Sequence, residues 1–176
     1  MSDQSPQNEL AADERPSPDF VQAVLGMQII TGALAFGAAC LTGVMLFLAK
    51  GDLGGQPEIL SIIGFAMAAA HFVAHTIVPK FVMAKQLESI GKAELQSMAV
   101  EDQQMTVMTS MRSGHIIGSA LLEGAVFFNA IAYMIEKWVG SLAIAGVFIV
   151  LILLRMPTVF GTQNKITDRL REIEMS

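Results

Sequence analysis

Residues 113–135 read SGHIIGSALLEGAVFFNAIAYMI, 23 residues between Arg112 and Glu136 with one charged side chain among them, Glu123. A helix needs about 20 apolar residues to cross a hydrocarbon core about 30 Å thick. The stretch therefore reads as a transmembrane helix with a carboxyl group inside it. At about 1.5 Å per residue, Glu123 lies about 16 Å beyond Arg112, close to the bilayer midplane. An acid at that depth costs about 2.5–3.5 kcal/mol on the insertion scale, so it is expected to face a bundle interior.

Three further stretches have the same character. Thirty uncharged residues separate Asp19 from Lys50, and 21 separate Glu58 from Lys80, interrupted only by His71 and His75. Seventeen separate Lys137 from Arg155, and Met156–Asn164 continue without charge. The fourth run crosses if the long stem of Arg155 lets its head reach the interface. None alternates strictly, as a barrel strand must. The prediction is an all-α fold, a four-helix transmembrane bundle over 20–160 with spans 20–49, 59–79, 113–135 and 138–160.

The composition agrees: 53% of residues are hydrophobic, only 15% are charged, and the mean hydropathy is +0.54. The formal charge of −5 supplies no basic footprint for nucleic acid. The single Cys40 lies in an apolar run, and no Cys/His spacing suits a metal. No cofactor motif is present. There is no phosphate-binding glycine loop, HExxH or GxSxG, so an enzyme is not expected. The expected partners are the lipid bilayer and a second copy or another membrane protein.

Orientation follows the distribution of Lys and Arg. Nine of the eleven lie in residues 1–19, in the loop 80–112, or from Arg155 onward; only Lys50 and Lys137 lie on the other side. The expectation is a multi-pass protein of the cell (inner) membrane with both termini cytoplasmic. Tyr133 and Trp138 flank the outer turn, where an aromatic belt would sit. Residues 1–19, acidic and holding three prolines, read as a disordered tail. After Pro79 the apolar spacing of Phe81, Ala84 and Leu87 continues the second span as an amphipathic helix. In the tail 161–176, Ile166, Leu170 and Ile173 form a second amphipathic stripe, suited to a partner or the membrane surface.

The first and third spans also resemble each other. At an offset of 87 residues, 28–38 (QIITGALAFGA) and 115–125 (HIIGSALLEGA) share six of eleven positions. The second and fourth spans end near Pro79 and Pro157. This predicts a duplicated helical hairpin, its copies related by an axis along the membrane normal. Small residues one turn apart, around Gly37, Gly114, Gly118 and Gly124, suit close helix packing.

His71 and His75, at i and i+4, share a helix face, and His115 lies toward the cytoplasm. A polar cluster is expected, with Glu123 and His71 at its centre, His75 and His115 below, and Gln28, Thr31 and Ser119 around them. Such a chain suits proton relay. The plainer alternative is a set of satisfied polar residues that hold the bundle in register.

The run 120–128, ALLEGAVFF, resembles the carboxylate helix of the rotary ATPase proteolipid, subunit c. That resemblance implies a mid-membrane acid carrying a proton or sodium ion. The acid here is on the first helix of its hairpin; in the proteolipid it is on the second. The whole chain resembles small four-span proteins of bacterial genomes whose third span carries the same Ala-Leu-Leu-Glu-Gly run. The leading expectation is a proton- or ion-responsive channel, small transporter or accessory subunit. The alternatives are a membrane scaffold or assembly partner, and a b-type haem or metal protein ligated by His71 or His75 with His115.

Overall fold

The computed structural model describes residues 17–175, apart from the side chains of Lys92 and the last two residues. The expected N-terminal tail lies largely outside the described residues. Among those described, the chain is all-α. Six helices follow in order: α1 Pro18–Leu48, α2 Ile59–Ile90, α3 Lys92–Ser97, α4 Val100–Glu136, α5 Val139–Leu154 and α6 Val159–Met175.

Local chemistry sets the ends. Ser17 caps α1 by accepting the Phe20 N–H, and Pro18 at the first position gives up no needed donor. Helix α2 runs through Pro79 to Ile90, and α4 begins at Val100, so most of the expected loop 80–112 is helical. The fourth span differs from expectation. Helix α5 ends at Leu154 because Pro157 cannot continue it, and α6 leaves at 73°. Sixteen residues make α5 about 24 Å long, short of a full hydrocarbon core. Three helices, α1, α2 and α4, are long and apolar enough to cross a membrane, and the bent α5–α6 pair is the fourth candidate.

Helix α4 is the shared partner. Half of its apolar window is buried within the protein, against 17% for α1 and 22% for α2. It packs on α1, α2 and α5, whereas α1 and α2 hardly touch. The core joins Ala35 and Ala38 of α1, Ala68 of α2, Leu122, Ala125 and Val126 of α4, and Ala145, Phe148 and Ile152 of α5. The opposite faces display Phe36, Phe47, Ile62, Phe65, Val147 and Leu154 to the surroundings. Exposed apolar side chains on this scale are compatible with a lipid surrounding.

One end of the bundle, the cap, closes where residues 49–58 meet the 136–138 turn. Lys137 Nζ pairs with Asp52 Oδ2 at 3.0 Å, and the Gly55 N–H donates to the Lys137 carbonyl at 3.2 Å. Tyr133 is fully buried, and its hydroxyl donates to the Asp52 carbonyl at 3.0 Å. The expectation of a belt residue there is corrected: Tyr133 pins the cap loop from inside. Glu136 accepts the N–H groups of Glu58, Leu60 and Ser61 at 3.1, 2.6 and 2.8 Å. It thus caps α2 from another helix, placing an anion at the positive end of that helix.

The other end, the base, holds a second core. Phe20, Val24 and Met27 of α1, Val107 and Met108 of α4, and Ile166 of α6 pack together, with Leu87 and Leu170 at its edge. The stripe predicted in the tail is therefore turned inward at Ile166, which is 2% exposed, onto this chain's own helices.

Candidate functional site

Helix α4 carries His115, Ser119 and Glu123 at i, i+4 and i+8, one above another along one side. This seam runs from the base toward the middle of the bundle beside α1. At its lower end His115 Nε2 lies 2.7 Å from Thr31 Oγ1, and Thr31 Oγ1 lies 2.8 Å from the Met27 carbonyl. The hydroxyl has one hydrogen, and the carbonyl can only accept. Thr31 therefore donates to Met27 and accepts from His115 Nε2–H, which leaves Nδ1 as the acceptor nitrogen.

Above it, the Ser119 hydroxyl is fully buried and has no hydrogen-bond partner among the described residues. Glu123 is half-buried, and its Oε1 faces α1 at Gly37, where a Cβ would stand 3.8 Å away. Among the described residues, nothing hydrogen-bonds or ion-pairs with this carboxyl. Helices α1 and α4 are parallel neighbours here. Their contacts, Thr31 with His115 and Gly37 with Glu123, fall within three residues of the repeat offset, so repeated segments lie side by side.

His71 and His75 occupy another side of the site. His71 Nδ1–H donates to the Met67 carbonyl at 2.7 Å, and Nε2 points at Gly124, 3.4 Å from a Cβ placed there. His75 Nδ1 bonds to the Phe72 carbonyl of its own helix. No hydrogen bond among the described residues links Glu123 to any histidine. The expected cluster is thus resolved into a seam of His115, Ser119 and Glu123 on the α1 side and a separate pair, His71 and His75, on α2. Nor do the described residues include a group of three or more His, Cys, Asp or Glu placed to hold a metal ion.

The four packing glycines sit where helices approach. A Cβ on Gly114 would stand 3.0 Å from the Pro79 carbonyl oxygen. One on Gly118 would stand 2.7 Å from Arg155 Nη2 and 3.0 Å from the Pro79 ring. Gly37 and Gly124 leave room for Glu123 and His71.

Two residues have roles that the sequence reading missed. Pro79 lacks the N–H that would bond the His75 carbonyl four residues back. Arg155 Nη1 donates to that carbonyl at 3.4 Å, reaching it through the space Gly118 leaves. Arg155 therefore reaches across the base of the bundle to α2. Freed backbone groups at membrane depth must find partners within the protein. At the matching break in the other hairpin, Gln28 Nε2 donates to the Pro157 carbonyl at 2.8 Å. Gln28 and His115 are repeat equivalents, and both stand next to a proline break. A third missed residue, Asn129, ties α4 to α2 by donating to the Gly64 carbonyl at 3.2 Å and to the Ala125 carbonyl at 2.9 Å. The pairing of a proline with a polar side chain at the same depth is the signal that could have found Arg155.

Three long apolar helices, with the bent α5–α6 pair as a fourth candidate, are compatible with a helical membrane protein. No family model matches the chain, and no curated protein or solved structure matches it.

Proposed function

We propose that this is a proton- or ion-responsive membrane protein, a channel, small transporter or accessory subunit, in which Glu123 is the titrating group. One observation carries the reading: the Glu123 carboxyl sits between two membrane helices with no fixed partner. A structural acid at such depth is normally held by a cation or by donors. An unheld one can gain or lose a proton, or take a cation, without breaking a bond that supports the fold.

Ser119 and His115 extend the reading toward the base. The idle hydroxyl of Ser119 is one turn below Glu123, and the acceptor nitrogen of His115 is one turn below that. Side chains two turns apart are too distant for direct transfer, so water must complete the path. Gly37 leaves room for the Glu123 carboxyl on the α1 side.

The test is infrared titration of the reconstituted protein beside Glu123→Gln, with dye-reported proton flux in the same vesicles. A carboxyl band that titrates reversibly and vanishes in Glu123→Gln, with flux reduced at least tenfold, is the expected result. Equal flux in both proteins would sink the reading.

A further inference from the structure

The break between α5 and α6 opens a crevice of about 380 Å³ at the base. Its walls carry His115, Arg155, Lys165, Thr158 and Thr162, with Leu154 at the rim, and include no Asp or Glu. This is unusual in a chain with a formal charge of −5. Arg155 is half-buried and, among the described residues, uses its guanidinium for a single hydrogen bond, to the His75 carbonyl. Neither Arg155 nor Lys165 has a carboxylate within ion-pair distance among the described residues. Both charges lie within electrostatic reach of the His115 ring. Two cations gathered around one cavity with no anion repel each other, and a half-buried guanidinium without a counter-charge is costly.

We propose that this crevice binds a phosphate group, with Arg155 and Lys165 as its charged ligands and the hydroxyls of Thr158 and Thr162 as neutral ones. The guanidinium fork matches two phosphate oxygens, and the ammonium supplies a mobile point charge. Thr158 also begins α6, accepting the Gly161 N–H at 3.1 Å, so the positive end of that 17-residue helix opens on the same space. The site is at the end of an apolar helix, between Leu154, 76% exposed, and Phe160, 74% exposed. A headgroup phosphate of an anionic lipid could enter with its chains along those side chains, and free phosphate could enter from water.

The experiment separates these sources. Full-length protein in neutral detergent is mixed with phosphatidylglycerol, with diacylglycerol as the phosphate-free control, and retained lipid is counted by native mass spectrometry. In a second arm, the melting temperature is followed with inorganic phosphate against chloride at equal ionic strength. The parent is expected to retain phosphatidylglycerol or to be stabilised by phosphate, and the arm that responds identifies the source. Arg155→Gln and Lys165→Ala should each weaken that response about tenfold, the loss of one charge-assisted contact. Lys165 is exposed, so its variant keeps the fold even if Arg155→Gln does not. No response in either arm, or a full response in Lys165→Ala, overturns the proposal.

Discussion

The carboxylate of Glu136, the last residue of α4, accepts the backbone N–H of Ser61 at 2.8 Å and so caps a helix 75 residues earlier in the chain. With the N–H groups of Glu58 and Leu60 it satisfies three donors that α2 cannot satisfy itself. Glu136→Ala should lower the melting temperature in detergent, and Glu136→Gln should recover part of the loss because its amide oxygen still accepts. Loss of the exposed Lys85–Glu88 pair, in contrast, should leave the melt unchanged.

Gly55 tests the closeness of the cap. A Cβ there would lie 1.8 Å from the Glu136 carbonyl oxygen, a backbone atom that cannot swing aside. Gly55→Ala should destabilise by about 1–3 kcal/mol or more, in the range of overpacking. Gly26→Ala on α1, where nothing lies within 4 Å, should be neutral or slightly stabilising. Thermal melts of the two variants make the comparison.

Asp52 gives the cap a pH dependence. The Gly54 N–H, then Lys137 by hydrogen bond and by charge, hold its carboxyl below the ordinary value of 3.8. A carboxylate depressed in the folded state contributes stability above its unfolded pKa and loses it as pH falls through the folded one. The melting temperature should therefore decline below about pH 4 through this group, and Asp52→Asn should flatten that part of the profile. A variant profile that parallels the parent would exclude Asp52 as a contributor.

Ile166 tests how firmly α6 is docked. Ile166→Ala should cost about 2–4 kcal/mol at the base, as large-to-small changes in a core do. Brief trypsin treatment should then cut faster after Lys165 and Arg169, which a docked helix shields. Unchanged cleavage would mean that α6 is held by contacts other than Ile166.

The spans were legible because hydrophobic length is a one-dimensional property. The run from Ser113 to Ile135 needs no knowledge of its neighbours to be read as a membrane helix. The offset linking Gly37 to Gly124 likewise marked small residues at helix contacts, Gly37 against Glu123 of α4 and Gly124 against His71 of α2. What escaped the sequence depends on pairs far apart in the chain. Arg155 read as a headgroup anchor because its destination, the carbonyl freed by Pro79, is on another helix. Tyr133 read as a belt residue because its partner Asp52 belongs to a different loop. Depth alone grouped His71 with Glu123, but depth does not specify direction around a helix axis, and the two face different neighbours. The fourth run was read as one stretch over 138–160, and a lack of charge does not reveal that its helix stops at Leu154 and resumes at an angle.

The central position of α4 also sets an order for biosynthesis. Helices α1 and α2 emerge first from the ribosome yet hardly touch each other. Each finds its main surface on α4, which begins at Val100. In this fold the first two helices gain their main packing surface only once the third long helix is present. A chain ending before residue 100 would lack the helix that joins the other two.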